Sequence, residues 1–324
     1  ATCHARPPAL SYRAMRILGL SNMRDAGAAL VENGQLLAAA EEERFVRIKH
    51  VTALPVHAIR FCLQSAGARL QDLDAIAVPW KYWQLGRRAV LAIGSMLQSP
   101  RLFTVKGTRA AERLTHEWKE LAFLGTLLSQ RVDGTRCPPV VFLDHHLCHA
   151  ASAMLVSPFE RAAVMVVDGA SEAHTTMLAH AGREQIRVLT RVALPHSLGQ
   201  FYAAITAYLG FRPDHDEYIV MGLAAYGVPR FAAALREQVL RTFPEGQFRL
   251  NTRLLDFHLA RDRIFLPQFL QLFGPARRPE EEITPRHQDM AASVQAVLEE
   301  TLLHLGRHLK TVTNEERLCL AGGV

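Results

Sequence analysis

The chain has 324 residues, which is long enough to bury a large core in two domains or in one two-lobed domain. Its composition, 49% hydrophobic and 21% charged, is typical of a globular protein, and no apolar run approaches the roughly 20 residues that a membrane-spanning helix needs. A net charge of +6 suits an anionic ligand without identifying nucleic acid, and five cysteines without CxxC spacing favour reduced thiols and a cytoplasmic location. We therefore expect neither a membrane nor a nucleic-acid partner.

Two β-meanders are predicted, each with an acidic turn after its first strand. The first begins with a strand over 17–21, turns at 22–25, and contains Asn33-Gly34, which is a strong signal for a type I′ hairpin. The second begins with a strand over 163–167 and turns at Asp168. The architecture therefore recurs, although the two sequences share little identity.

Most segments between and after the meanders are predicted to be helical. The Thr284-Pro285 pair marks the start of one helix, because threonine caps a helix well and proline suits its first position. The predicted helices cover 57–67, about 84–132 (a mostly helical excursion), 199–209, the surroundings of 231–242, and a long segment from 285; buried strands are predicted over 74–80, 138–143 and 318–320.

The duplicated pattern predicts an α/β protein with an actin-like ATPase or ribonuclease H-type fold, in which two lobes surround a nucleotide cleft. An ordinary doubly wound sheet is the alternative. We expect an extension over 1–14, a first lobe over 15–160, and a second lobe over 161–324 that is incomplete at its C-terminal end.

Three histidines lie close together where a strand is followed by a helix, in the stretch FLDHHLCHAASAML. His145 and His149 are four residues apart, so a helix places them on one face, where they can bind one zinc or iron ion. His146 points elsewhere, and it occupies the position where a zinc protease has glutamate. Asp168, at the matching turn of the second lobe, is the expected third ligand, from across the cleft. The alternative is that these histidines cap the helix or pack in the core.

Several sequence blocks, in the same order, resemble O-carbamoyltransferases of the nodulation-factor and antibiotic-tailoring type. The blocks are ILGLSNMRDAGAALVENGQLLAAAEEERFVRIKH, DHHLCHAASAML, VVDGASEAHTT, HSLGQFYAAITAYLGF, EYIVMGLAAYG and LAGGV. The resemblance implies an actin-like domain, related to tRNA threonylcarbamoyl transferases, that moves a carbamoyl group to a hydroxyl of a sugar, polyketide or macrocycle. Carbamoyl phosphate and ATP, with Mg²⁺, would first give carbamoyl-adenylate in a separate C-terminal adenylate-forming domain.

The resemblance also implies roles for particular residues. His145, His149 and Asp168 fall on the positions that bind a divalent metal, usually iron; zinc and manganese are alternatives. The expected nucleotide and phosphate contacts are Gly169, Ala170, Ser171, Gly322, Gly323, Arg44 and Lys49. The block containing Arg44 and Lys49 has an equally weighted alternative interpretation, as a salt-bridged helix start.

Three departures from the family pattern bear on the mechanism. Met23 stands where relatives have the histidine proposed as base, which leaves Asp25, Arg24 and His50 as candidate catalytic residues. Ile219 replaces a lysine found in many relatives. The adenylate-forming domain expected in relatives lies outside the sequence up to Val324, so this chain is expected to need that domain or an equivalent chain for activation. The alternatives are a tRNA threonylcarbamoyl-type transferase and a non-catalytic nucleotide- or metal-binding scaffold. Residues 84–132 and 248–279 are expected to form the acceptor pocket and its lids.

Overall fold

The computed structural model describes residues 14–22, 25–84, 120–255 and 265–324. Contacts divide the chain into two compact units. Among the described residues, the first unit contains those up to Lys81 together with 120–143, and the second contains 82–84 and 144–324. Nearly all of the predicted extension and most of the excursion after residue 84 lie outside the described residues.

The first unit is built on a five-stranded sheet in the order β3-β2-β1-β4-β5. The first three strands form an antiparallel meander, and the last two run parallel to the first. Asn33 and Gly34 both have positive φ angles, 49° and 81°, as the predicted type I′ turn requires. The elements are β1 (Arg16–Ser21), β2 (Gly27–Glu32), β3 (Gln35–Glu41), α1 (Glu43–Val46), α2 (Val56–Ser65), a 3₁₀ turn (Leu70–Asp72), β4 (Ala75–Val78), α3 (Leu124–Arg131) and β5 (Val140–Phe142).

The second unit is built on a four-stranded sheet in the order β11-β6-β7-β8. Its strand β6 is apolar from Ala162 to Val167, because both of its faces are covered there: Ala163, Met165 and Val167 belong to one core cluster, and Ala162, Val164 and Val166 belong to the other. The elements are a 3₁₀ turn (Tyr82–Gln84), α4 (His145–Met154), β6 (Arg161–Val167), β7 (His174–Gly182), β8 (Ile186–Ala193), α5 (Leu198–Tyr208), α6 (Glu217–Ala224), α7 (Ala232–Ala234), a π-helical turn (Leu235–Val239), β9 (Leu240–Phe243), β10 (Gln247–Leu250), α8 (Pro267–Phe273), α9 (Pro285–Thr313) and β11 (Leu318–Ala321).

The same strand order occurs in both units. Each has a three-stranded antiparallel meander, and a later strand (β4 or β11) pairs in parallel with the first strand of that meander. A doubly wound sheet of parallel strands lacks these meanders. The chain therefore has the duplicated actin-like, ribonuclease H-type α/β fold, as the sequence predicted.

The helix predicted around 231–242 is wrong in its last three residues. Helical structure ends at Val239, and Leu240–Phe243 forms a strand that pairs with Gln247–Leu250. Glu245 and Gly246 turn the chain with positive φ angles of 61° and 65°. Pro244 and Gly246 break the helical pattern between the two strands, and Leu240 and Phe248 are buried in the core of the second unit.

Two other features differ from expectation. Helix α4 groups with the second unit, because Ala150 and Met154 pack on the sheet that contains β6 and β11, whereas the sequence analysis placed it in the first lobe. Within 248–279, where acceptor-pocket residues were expected, Phe248, Phe269 and Phe273 are core residues. Of the described helices, none combines the length and apolar character needed to cross a membrane.

Candidate functional site

Three predicted metal ligands converge in the second unit. His145 and His149 lie on the first two turns of α4, and Asp168 follows β6. The His145 Nε2 atom lies 3.0 Å from Asp168 Oδ2, and His149 Nε2 lies 3.6 Å from the same oxygen. The two Nε2 atoms are 3.2 Å apart. One ligand atom from each residue therefore lies within 4.8 Å of the others.

This set of donor atoms fits a divalent transition metal. Two imidazole nitrogens and one carboxylate oxygen suit iron, zinc or manganese, and three protein ligands leave coordination positions for a substrate. Burial by itself would raise the pKa of Asp168, but hydrogen bonds from His145 and His149 outweigh it and hold this pKa well below its usual range. Asp168 is therefore ionised at neutral pH, as a metal ligand must be.

Glycines surround Asp168 and fix its position. Its Oδ1 atom accepts the Gly169 N–H at 2.7 Å. Gly322 has a φ of 107°, and a Cβ atom there would lie 2.0 Å from the Val167 carbonyl oxygen. At Gly323, a Cβ would lie 3.3 Å from Asp168 Oδ1. Three of the predicted nucleotide-binding residues thus lie around the end of β6, where only small residues fit.

The other two residues predicted in this turn differ in exposure. Ala170 is half-buried, whereas Ser171 is buried. The Ser171 hydroxyl donates to the His174 carbonyl oxygen at 2.9 Å, and its backbone N–H donates to the same oxygen at 2.7 Å. Ser171 therefore closes the turn between β6 and β7, and its predicted contact with phosphate stays a prediction.

Three residues that the sequence analysis missed hold the first turn of α4. Asp144 caps the helix, because its Oδ1 atom accepts the Leu147 N–H at 3.1 Å. Its Oδ2 atom accepts a hydrogen bond from Arg191 Nη1 at 3.0 Å. Glu172, which is buried, accepts the His145 N–H at 3.3 Å. An aspartate before a helical pattern is a recognisable cap signal, but the other two contacts join distant parts of the chain.

His146 points away from His145 and His149, as predicted, and it faces the interior. It is buried, and neither ring nitrogen has a hydrogen-bond partner among the described residues. Burial lowers its pKa to about 4, so the ring is neutral at physiological pH. His146 is therefore a core residue and does not join the His145 and His149 pair.

Asp25 and His50 come together in the first unit. The His50 Nδ1 atom lies 2.8 Å from Asp25 Oδ1, and both side chains are partly exposed. The backbone of Ala26, next to Asp25, links this turn to the segment that contains His50. Its N–H donates to the Val51 carbonyl oxygen at 3.0 Å, and its own carbonyl oxygen accepts the Glu42 N–H at 2.8 Å. Asp25 and His50 have left-handed φ angles of 60° and 55°, which are uncommon outside glycine. The third catalytic candidate, Arg24, lies outside the described residues, as does Met23.

The glutamates before Arg44 have separate structural roles. Glu42 is buried, and its carboxylate accepts the backbone N–H groups of His57 and Ala58 at the start of α2. Arg44 is exposed and lies 3.4 Å from Glu41. Lys49 is exposed as well. The block thus combines a buried helix cap with exposed cations, so the two interpretations of the sequence are compatible.

Helix α6 and the turn after it expose an apolar face. Tyr218, Met221 and Tyr226 are 67%, 57% and 76% exposed; the first two lie one helical turn apart on α6, and Tyr226 lies in the turn after it. Gly222 lies between them with open space above it. Ile219, at the position where many relatives have lysine, is half-buried. Its side chain is uncharged, so it supplies no cation there.

Comparison with known protein families shows to which family the chain belongs. A family described as "Carbamoyltransferase N-terminus" matches residues 16–324. The chain belongs to this carbamoyltransferase family. It is 36% identical to an uncharacterized protein of Synechocystis over 95% of this chain and 50% of that protein. It is also 34% identical to the nodulation protein NolNO of Sinorhizobium fredii, over 93% of this chain and 41% of that protein.

This carbamoyltransferase domain therefore spans half or less of the length of those two relatives. Among solved structures it is similar to component A of the (R)-2-hydroxyglutaryl-CoA dehydratase of Acidaminococcus fermentans, with 11% identity and a TM-score of 0.43 over 96% of this chain and 83% of that one. It is also similar to HypF of T. kodakarensis, with 13% identity and a TM-score of 0.41 over 97% of this chain and 43% of that one.

Proposed function

We propose that this domain catalyses the acceptor step of an O-carbamoyl transfer. In this step a carbamoyl group moves from carbamoyl-adenylate, made from carbamoyl phosphate and ATP with Mg²⁺, to a hydroxyl of a sugar, polyketide or macrocycle. The observation that supports it most is the convergence of His145, His149 and Asp168 in a member of the carbamoyltransferase family. A partner domain or chain of the adenylate-forming type would supply the activated group.

The chemistry of the donor explains why such residues are needed. The carbonyl carbon of a carbamoyl group is a poor electrophile because its nitrogen donates electrons into it, and a mixed anhydride with AMP supplies a better leaving group. A divalent cation bound by the three side chains would act as a Lewis acid towards the anhydride oxygens. The ionised carboxylate of Asp168 lies at the end of β6, and we assign the approach of a phosphate to the glycine turns formed there by Gly169, Gly322 and Gly323.

The Asp25–His50 pair is our candidate for the base that removes the proton of the acceptor hydroxyl. Asp25 favours the tautomer in which His50 Nδ1 carries hydrogen, and in that tautomer Nε2 has the lone pair that accepts a proton. Methionine at position 23 has no such group. Arg24 stays protonated and would only bind anions.

Exposed groups elsewhere would bind the donor and acceptor. Arg44 and Lys49 carry positive charge at the surface of the first unit, and we assign to them the binding of phosphate groups. The apolar face formed by Tyr218, Met221 and Tyr226 is a surface on which the adenine ring or an apolar acceptor would pack.

The metal content of the protein tests the site. Protein purified without a metal-affinity column would be compared with His149→Ala and Asp168→Ala variants by elemental analysis. We expect near-stoichiometric iron, zinc or manganese in the parent and loss of it in both variants. Stoichiometric metal retained in both variants would show that these three residues do not form the site.

Turnover tests the reaction. The chain would be supplied with carbamoyl phosphate, ATP, Mg²⁺, a separate adenylate-forming domain and candidate alcohols, and carbamoylated product would be measured by mass spectrometry. His50→Gln should reduce turnover of the metal-loaded protein and change the pH–rate profile, whereas unchanged turnover and profile would remove His50 as base. Metal and ATP binding without turnover on any alcohol would favour the non-catalytic scaffold. Binding of tRNA at moderate salt would favour the threonylcarbamoyl alternative.

A further inference from the structure

We propose that Arg191 is a positioning residue for the metal centre, because it fixes the first turn of α4 through Asp144 and so sets the place of His145. This inference rests on the proposed metal site formed by His145, His149 and Asp168. Arg191 lies on β8, and it would act on the site through Asp144, which precedes the ligand His145.

The contact between Arg191 and Asp144 is well shielded. Arg191 Nη1 lies 3.0 Å from Asp144 Oδ2, and the two side chains are 27% and 11% exposed. The other oxygen of Asp144 accepts the Leu147 N–H at 3.1 Å. Both oxygens of this carboxylate are thus occupied, one by the helix that it caps and one by the sheet. The ion pair therefore attaches the start of α4 to β8.

A second carboxylate holds the same turn. Glu172 is 2% exposed, and its Oε1 atom accepts the His145 N–H at 3.3 Å. Both carboxylates lie at the N-terminal end of a ten-residue helix, where negative charge is favourable. The backbone of His145 is therefore held directly by Glu172, and the residue before it is held by Arg191.

This attachment bears on the ligand geometry because the ligands come from two elements. Asp168 is held at the end of β6 by the Gly169 N–H, a contact that involves no residue of α4. His145 Nε2 lies 3.0 Å from Asp168 Oδ2 only while the first turn of α4 keeps its place on the sheet. Groups that orient metal ligands in this way typically change metal affinity by about 10- to 100-fold when they are removed.

A purely electrostatic role for Arg191 predicts the opposite change in metal affinity, and this difference provides the test. The guanidinium of Arg191 is a positive charge, and a positive charge near a cation site opposes cation binding. If Arg191 acted only as a charge, its removal would tighten binding of a divalent cation. If it acts by holding Asp144, its removal should weaken binding.

The experiment is a titration of the metal-free chain with Co²⁺, followed by its visible absorption. Arg191→Met should raise the dissociation constant about 10-fold or more and alter the spectrum, because the ligand geometry changes. Arg191→Lys keeps the charge and should lie between Arg191→Met and the parent. Arg187→Met, at an exposed position on the same strand, is the matched control and should bind as the parent does.

The possible outcomes separate this inference from the proposed function. A parent that binds no Co²⁺ would overturn the metal site and the inference together. A parent that binds Co²⁺ while Arg191→Met binds it equally or more tightly would overturn the inference alone. If Arg191→Met does not fold, as judged by circular dichroism, the comparison is made with Arg191→Gln, which should bind more weakly than Arg191→Lys; equal binding by these two variants and the parent would overturn the inference.

Discussion

The buried carboxylate of Glu42 should stabilise the first unit by capping α2. It accepts the Ala58 N–H at 2.9 Å and the His57 N–H at 3.2 Å, while Pro55 at the cap position supplies no side-chain hydrogen bond. Ala58 is fully buried, so water cannot replace the carboxylate there. An unsatisfied buried donor costs about 1–3 kcal/mol and a lost helix cap about 0.5–2 kcal/mol. Because the lost cap and the unsatisfied Ala58 N–H are the same contact, the two costs are not added, and we expect Glu42→Ala to lower the free energy of unfolding by about 1–3 kcal/mol.

Urea unfolding and hydrogen exchange of the amides in α2 would measure this effect. Glu42→Gln keeps an acceptor oxygen and loses the charge at the helix N-terminus, so it should show a smaller loss than Glu42→Ala. Glu41→Ala is the control, because Glu41 is exposed and its contact with Arg44, 3.4 Å long, is worth at most about 1 kcal/mol. Equal stability and equal α2 protection in Glu42→Ala and Glu41→Ala would refute the reasoning.

Contacts elsewhere in the chain make three further tests possible. At Gly322 a Cβ would lie 2.0 Å from the backbone carbonyl at the end of β6, so Gly322→Ala should lower the free energy of unfolding and the metal content. Gly306→Ala is the control, because no atom lies within 4 Å of a Cβ there, and it should raise the free energy of unfolding by up to about 1 kcal/mol in the same urea titration. Burial raises the pKa of the Cys62 thiol, so mass spectrometry should find it alkylated at pH 8 far more slowly in the folded than in the urea-unfolded chain. Burial opposes ionisation of Asp133, but hydrogen bonds from Thr135 and from backbone N–H groups hold its pKa below the usual range. The ionised carboxylate therefore stabilises the folded state at pH values above the unfolded pKa of about 4. The loss of stability in Asp133→Asn should accordingly shrink as the pH falls below about 4.

The parts of the fold that local sequence determines were predictable. Asn33-Gly34 determines its turn through φ angles that few other residue pairs adopt, and the spacing of His145 and His149 fixes their common helix face. In each of these cases a few neighbouring residues carry the information. Asp168 was expected to meet these histidines from the opposite lobe, across a cleft, whereas all three residues belong to the second unit.

Contacts between distant residues were not predictable in this way. Arg191 meets Asp144 across 47 positions and Glu172 meets His145 across 27, and nothing near any of these residues marks the pairing. Tertiary packing therefore decided the positions that local preference left open.

The parallel pairing of β11 with β6 has a consequence for the order in which the second unit is made. Cys319 pairs with Val164, and the Gly322 turn closes over Val167, although the meander β6-β7-β8 is already complete at Ala193. At a synthesis rate of roughly 5–20 residues per second, Gly322 follows Asp168 by roughly 8–30 s. During this interval β6 is apolar and has one edge without its partner strand, which is the kind of surface that chaperones bind and on which nascent chains misassemble. The strand that positions Asp168 is therefore the part of this unit that we expect to depend most on protection during translation.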